Sequence, residues 1–317
     1  MNNKPKLSDL PGIGPASIEK LEKAGIYEVM SVATMVPSTL SETSGISVST
    51  ARKAILAAQE MCDLGFVSGN KFEDDMNTIF GISTGSKEID NLLGGGVKSR
   101  AMTEAHGQFG SSKSQLGFTL AVNVQIPKEK GGVEKECVFI DAEGTFSPSR
   151  IREIARERGL DEEKIISGIH VARAFNSDHQ MLLVDKITDL IKEGHDIGLV
   201  IVDSLTTHFR VDFQGRGQLA DRQQKLNRHM HDLINLAYEH NFAVYVTNQV
   251  MANPAQLFGD PTTAIGGNIV GHTATYRLYL RRAKQGSRLA KLIDSPDMPD
   301  GEAVYYVGKR GIQDEID

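Results

Sequence analysis

The sequence predicts a small all-α unit followed by a larger α/β unit, built on a largely parallel sheet that ends in antiparallel hairpins. Three observations predict this. From Phe80 onward, short β-branched runs alternate with helical stretches, the pattern of a parallel sheet covered on both faces. The last three runs, Tyr276–Leu280, Leu289–Asp294 and Ala303–Val307, leave no room for helices between them, so they should pair as hairpins. Before Phe80, apolar residues recur at helical spacing around two glycine turns.

Composition sets the outer limits. At 317 residues the chain is long enough for two domains, on a prior of about 150 residues each. With 40% apolar and 24% charged residues it has an ordinary globular balance, which excludes a disordered or fibrous chain. Its longest clean apolar stretch lies around Ile197–Val202, far short of the roughly 18 residues a membrane-spanning helix needs. No membrane partner is expected. Met1–Pro5 has no apolar segment after its charge, so it does not read as a signal peptide. Cys62 and Cys137 lie far apart, match no metal spacing and are expected as reduced thiols in a cytoplasmic protein. The net charge is −6, yet Arg210, Arg216, Arg222, Lys225 and Arg228 face only Asp212 and Asp221 between Leu205 and His231. Six Lys or Arg and no acid fall between Arg277 and Lys291. Local basic surfaces are therefore expected on an acidic protein.

The helical unit is expected over 1–65, a linker over 66–80 and the α/β core over 81–317. In the first, Leu10-Pro11-Gly12-Ile13-Gly14-Pro15 is a turn, and Ile18, Leu21 and Ala24 share a helix face behind it. Gly45-Ile46-Ser47 is a second turn, ahead of a helix with Ala51, Ala54, Ile55, Ala58, Met61 and Cys62 on one side. The span Phe66–Ile79 is polar, with Glu73-Asp74-Asp75, and reads as the linker. In the core, strands are expected at Cys137–Asp141, Gly198–Asp203 and Ala243–Thr247, besides the three hairpin runs.

The strongest motif is Gly107-Gln108-Phe109-Gly110-Ser111-Ser112-Lys113-Ser114, which follows an apolar stretch and opens an amphipathic helix over Leu116–Val124. Glycines at this spacing let backbone N–H groups wrap phosphates at a helix N-terminus, where the dipole favours anions. Lys113 would reach the β/γ-phosphates and the Ser114 hydroxyl would hold Mg²⁺. Ser112 stands where such loops usually have glycine, and a left-handed backbone costs a non-glycine residue about 1–2 kcal/mol. A plain Gly/Ser turn before a helix has similar composition. Leu199–Ser204 is an apolar strand ending in Asp203, the usual second ligand for Mg²⁺. Phe139–Gly144 ends in acids on the same side of the sheet, where Glu143 could polarise water as a general base, or stand as a solvated acid. Val246–Val250 ends in Asn248-Gln249, an amide able to sense a γ-phosphate or simply a strand exit. Gly12 and Gly14 suit backbone contact with nucleic-acid phosphates, or only the geometry of a turn. In the basic stretch, Leu219, Leu226, Met230, Leu233 and Ala237 form the buried face of a long helix. The glycine-flanked Arg216 before it is the better nucleic-acid candidate.

These pieces together resemble the RecA-like strand-exchange family. The resemblance runs from the Leu10–Pro15 turn to Gly311–Asp314. Its most specific parts are Val171–Ser177, Ile201–Thr206, Gly215-Arg216-Gly217, Ala220–Leu226, Thr247–Val250, Ile265-Gly266-Gly267 and Asp294-Ser295-Pro296. It implies a RecA-like phosphate-loop ATPase core behind a helix-hairpin-helix domain. It also implies an ATP-dependent recombinase that assembles as a helical filament or ring on single-stranded DNA, with Mg²⁺ and ATP between protomers, and pairs that strand with double-stranded DNA. On this resemblance Glu143 is the catalytic carboxylate, Arg150 stacks on adenine, and Gln249 reads the γ-phosphate. The loops Arg210–Arg222 and Met251–Ile265 bind DNA through Arg210, Arg216, Arg222 and Asn253. Asp260 and Pro261 are the cap a neighbour places over ATP, and His272 and Asp294 link that neighbour to the nucleotide. Phe66-Val67-Ser68-Gly69 docks one protomer into the next, with Phe66 contributing about 1.5–3 kcal/mol when buried; capping the helical unit is its alternative role. The chain departs from the family loop at Ser112 and at Gln108. A paralogue that loads a recombinase, a ring-forming helicase and a filament protein with little or no ATP turnover are the other functions compatible with these residues.

Overall fold

The computed structural model describes residues 5–62, 64–252 and 262–316, with the side chains of all of these except 216, 252, 262, 263 and 268. The chain divides into two compact units, Met1–Met76 and Asn77–Asp317.

The first unit is helical: α1 (Pro15–Lys23), α2 (Val29–Thr34), α3 (Pro37–Ser44), α4 (Val48–Met61) and α5 (Gly69–Met76). Both expected turns start helices. Gly14 caps α1 with Pro15 in its first turn, and Ser47 caps α4 by accepting the Thr50 N–H at 3.1 Å. Leu21 on α1 and Ala51, Ala54, Ile55 and Ala58 on α4 are buried in one core with Ile13, Val32 and Leu40. The helical periodicity thus becomes packing, with a fully buried leucine contributing about 1.5–3 kcal/mol. Within the span expected as linker, α5 forms without a buried residue. Phe72 and Met76 on it are exposed.

The second unit contains β1 (Gly81–Ile82), α6 (Lys87–Leu92), β2 (Val97–Lys98), β3 (Met102–His106), α7 (Lys113–Asn123), β4 (Glu136–Asp141), α8 (Pro148–Glu157), α9 (Glu162–Ser167), β5 (Ile169–Arg173), α10 (Ser177–Lys192) and β6 (Ile197–Asp203). It continues with α11 (Thr207–Asp212), α12 (Leu219–His240), β7 (Ala243–Asn248), β8 (Val250–Ala252), β9 (Thr262–Ala264), α13 (Gly267–Thr273), β10 (Tyr276–Arg282), β11 (Arg288–Asp294), β12 (Gly301–Gly308) and β13 (Gly311–Gln313). The main sheet runs β13-β12-β11-β10-β3-β7-β6-β4-β5. Strands from β10 to β5 in that order are parallel, and β11, β12 and β13 attach antiparallel, as expected.

Alternation along the central strands explains two cores. Cys137, Phe139, Leu199, Ile201 and Tyr245 face one core, with Leu116 and Ile151. Val138, Ile140, Val200, Val202, Val244 and Val246 face the other, with Val184, Met230 and Leu233. One helix differs from expectation. The stretch predicted as amphipathic is α7, and Leu116–Asn123 is buried throughout. The sheet covers one side of α7, while α8 and β13 cover the other.

Candidate active site

The predicted loop spans from the end of β3 to the start of α7. Gly107 packs so closely against β10 that a Cβ there would lie 2.1 Å from the Leu280 carbonyl oxygen, so the first glycine is sterically required. Gly110 is left-handed at φ +73°. Ser112 is also left-handed, at φ 78° and ψ 16°, and its carbonyl accepts the Leu116 N–H at 2.9 Å to begin α7. The serine therefore takes the backbone shape glycine would take. Its hydroxyl lies 2.8 Å from Tyr305 Oη on β12. Gln108 and Phe109 are exposed at the loop's tip, and Ser111 is buried.

Lys113 folds back over this loop, donating to the Gly107 and Gln108 carbonyls at 2.9 and 3.0 Å. Burial pulls its ammonium pKa down, and the negative charges of Asp203 and Glu143 pull it back up. Asp203, at the end of β6, is buried and raised above its ordinary value by that burial. Hydrogen bonds from Ser114 and Thr247 oppose the shift, and Glu143 and Asp141 add to it. Asp203, Glu143 and the Ser114 hydroxyl thus surround one lysine, a donor set suited to a divalent cation and phosphate oxygens.

Asp141, at the end of β4, accepts the N–H groups of Gly144, Thr145 and Phe146 at 2.8, 3.0 and 3.1 Å. This clamp turns the chain sharply and presents Glu143 to solvent. Glu143 Oε1 accepts from Ser204 Oγ at 2.7 Å, Thr207 Oγ1 at 2.9 Å and Gln249 Nε2 at 2.9 Å. One oxygen is held by the start of α11 and by the exit of β7. Behind it, Asn248 donates to Glu104 Oε1 at 2.7 Å and to the Ile265 carbonyl at 2.6 Å, and accepts from Thr206 at 2.8 Å. The Ile265 N–H bonds the Gln249 carbonyl at 2.9 Å, closing the base of the loop that β8 and β9 open.

The structure brings together Lys113, Ser114, Glu143, Asp203 and Gln249 at the C-terminal ends of parallel strands, the usual ligand side of such sheets. Arg150, on α8, bonds Gln115 of α7 at 2.9 Å and the Gly308 carbonyl at 2.5 Å. It borders a cleft of about 540 Å³ shared with Tyr306 and Lys309. Gly12 and Gly14 lie exposed on either side of buried Ile13. Arg210 is exposed on α11, and Arg222 is half-buried on α12. Arg216 opens a 3₁₀ turn. His272 on α13 and Asp294 at the end of β11 are exposed. Phe66 is fully exposed. Asn253, Asp260 and Pro261 lie outside the described residues.

Sequence reasoning missed the clamp role of Asp141, the Ser204 and Thr207 bonds, and the Glu104–Arg277 pair at 2.8 Å. An Asp followed three residues later by a glycine was the available signal for the clamp. Tyr305 as a partner for Ser112 had no local signal, being 193 residues away.

A doubly covered, mainly parallel sheet, with a glycine loop wrapping its own lysine and acids at the neighbouring strand ends, defines a RecA-like phosphate-loop core. Residues 75–315 match the family model described as Rad51, and residues 5–60 match the SAM-like helix-hairpin-helix tandem. The chain is 48% identical to the DNA repair and recombination protein RadA of Methanocorpusculum labreanum, over 97% of this chain and 98% of that protein. It is 49% identical to the protein of the same name from Methanoculleus marisnigri, with the same coverage. The chain belongs to the Rad51 family, as an archaeal RadA-type recombinase.

Proposed function

We propose that the protein is an ATP-dependent DNA recombinase that assembles on single-stranded DNA, pairs it with homologous duplex and turns over ATP when DNA is bound. The observation that carries this reading is the three-way grip on Glu143 Oε1 by Ser204, Thr207 and Gln249. Through Thr207 the carboxylate is tied to α11, which carries Arg210. Through Gln249 it is tied to the Met251–Ile265 loop. A carboxylate bonded to the roots of both DNA-binding loops couples DNA occupancy to chemistry.

Mg²⁺-ATP would supply the phosphoryl group. Lys113 and the loop N–H groups would hold its phosphates, while Ser114 and Asp203 would hold the cation. Glu143 would orient water and accept its proton. Arg150, beside its cleft, is the residue proposed to meet the base, and Asp260 and Pro261 are proposed to come from a neighbour with His272 and Asp294. Gly12 and Gly14 are proposed to add DNA-phosphate contacts from the helical unit, and Arg210, Arg216, Arg222 and Asn253 from the core. Helical filaments joined through Phe66 are the proposed assembly. No helix among the described residues is long and apolar enough to cross a membrane. A DNA-processing role favours the cytoplasm.

The test is ATP hydrolysis by the purified chain with and without single-stranded DNA. Stimulation by DNA that is lost in Arg216→Ala, together with weaker and salt-dependent strand binding, supports the reading. DNA binding without any turnover moves the assignment to a mediator or a passive filament.

A further inference from the structure

We infer a transition-metal site, fitted to Zn²⁺, at the opposite end of the sheet from the phosphate loop. Glu136, His170 and His195 each offer one ligand atom, and these atoms all lie within 4.8 Å of one another. Glu136 Oε2 is 2.8 Å from His170 Nε2 and 2.8 Å from His195 Nδ1. The two imidazoles meet edge to face, with centroids 4.3 Å apart.

Three rigid devices build this convergence. Val138 pairs with His170 across β4 and β5, and Glu136 lies two residues before Val138 on the same face. The β4–β6 register shifts between Glu136 and Cys137, which re-aims Glu136 at the strand's start. His195 follows α10 on a helix-ending turn. There the His195 N–H bonds the Leu190 carbonyl, and the N–H of left-handed Gly194 bonds the Ile191 carbonyl. Lys135, the residue before Glu136, is paired with Asp196.

The chemistry fits a borderline-soft divalent ion better than Mg²⁺. Two imidazole nitrogens and one carboxylate oxygen match the three-ligand sets that hold zinc with a further position open to water. The side chains are 22%, 35% and 36% exposed for His170, Glu136 and His195, so an ion can enter and a fourth ligand can be solvent. A tetrahedral ion at about 2.0–2.2 Å from each ligand separates them by roughly 3.4 Å. Loading therefore needs the carboxylate to withdraw by about half an ångström from its present hydrogen bonds. A hydrogen bond from a ring to an ionised carboxylate needs a proton on the facing nitrogen. On loading, a neutral ring moves that proton to its other nitrogen, and the freed lone pair binds the ion. Bound there, the ion would tie the starts of β4 and β5 to the end of α10.

The test is titration of the full-length, chelator-stripped protein with ZnCl₂ against a chromogenic competitor. Excess Mg²⁺ keeps the Ser114–Asp203 site filled throughout. One Zn²⁺ per chain at micromolar affinity or tighter is expected. His170→Ala and His195→Ala should each weaken binding by about 100-fold or more, and Glu136→Gln by about tenfold. His195→Gln repeats the histidine test with a polar side chain. Circular dichroism and ATP hydrolysis equal to the parent's show that each variant is folded. Co²⁺ should give visible absorption in the parent that both histidine variants lose. The proposal is overturned by no saturable binding to the parent, or by unchanged affinity in both histidine variants.

Discussion

Ser112 Oγ and Tyr305 Oη stand 2.8 Å apart, joining the phosphate loop to the antiparallel end of the sheet. Ser112 occupies a left-handed backbone position at φ 78°, where glycine carries no penalty. Tyr305 is fully buried, and burial pushes its hydroxyl pKa up to about 12 even though the Ser112 bond pulls it down.

Two opposing effects set what Ser112→Gly does. Glycine relieves about 1–2 kcal/mol of backbone strain. It also leaves Tyr305 Oη with only the Ser111 carbonyl, at 3.5 Å, and a buried hydroxyl left short of a partner costs about 1–3 kcal/mol. Ser112→Gly alone should therefore fall between about 1 kcal/mol of stabilisation and about 2 kcal/mol of destabilisation, short of the full strain energy. Adding Tyr305→Phe should raise the stability of Ser112→Gly by about 1 kcal/mol or more, because the orphaned hydroxyl is gone. Urea denaturation of the two singles and the double, followed by circular dichroism, measures the cycle. A simple gain of the full strain energy in Ser112→Gly would mean that Tyr305 does not depend on the serine.

Glu143 and Gln249 should separate chemistry from coupling. Glu143→Ala should lower DNA-stimulated ATP turnover by about 100-fold or more, the scale of a lost general base. Gln249→Ala removes one of three donors to the same oxygen while leaving Lys113, Ser114 and Asp203 in place. Its basal turnover should stay within about threefold of the parent, while stimulation by single-stranded DNA disappears. Hydrolysis rates with and without DNA give both numbers. Full stimulation in Gln249→Ala would remove the amide from the coupling path.

Much of this was legible in the sequence, for a physical reason. Buried parallel strands such as Ile197–Asp203 must be apolar on both faces, so they stand out as continuous runs, and acids at their ends mark the ligand side. The edge strand β5 did not stand out, because only Ile169 in it is buried, and His170 and Arg173 interrupt its apolar run. The helix α7 misled because periodicity cannot show that a second layer covers its outer side. Pairings across the fold, such as Ser112 with Tyr305 or Glu136 with His195, arise from topology and leave no local pattern.

The buried pair of Glu104 and Arg277 should show in acid. Burial alone would raise the Glu104 carboxyl, but His106, Arg277 and Asn248 more than offset it and hold its pKa at about 2. A folded pKa below the unfolded value of about 4.3 contributes stability above that value, and the contribution is lost as the pH falls towards 2. Glu104→Gln should cost about 3–5 kcal/mol, because Arg277 is left with an uncompensated charge. The variant should also lose less further stability than the parent between about pH 5 and pH 3. Urea denaturation across that range compares the slopes. Equal slopes would assign the acid sensitivity of the parent to other carboxylates.

Phe66 offers the clearest test of assembly. Its relative exposure is 110%, as open as an aromatic side chain can be, and it lies three residues before the start of α5, which buries no residue. Substitution of so exposed a side chain should leave the fold of a single chain within about 0.5 kcal/mol of the parent. Burial in a neighbour, in contrast, contributes about 1.5–3 kcal/mol per contact. Since 1.4 kcal/mol is tenfold in affinity, each protomer contact in Phe66→Ala should weaken by roughly 10- to 100-fold. Size-exclusion chromatography should then move from large assemblies to monomers at the same concentration, with unchanged circular dichroism. Phe66→Leu, which keeps most of the apolar area, should fall between the two. Large assemblies that persist in Phe66→Ala would place the main contact elsewhere and leave Phe66 as a surface residue of the helical unit.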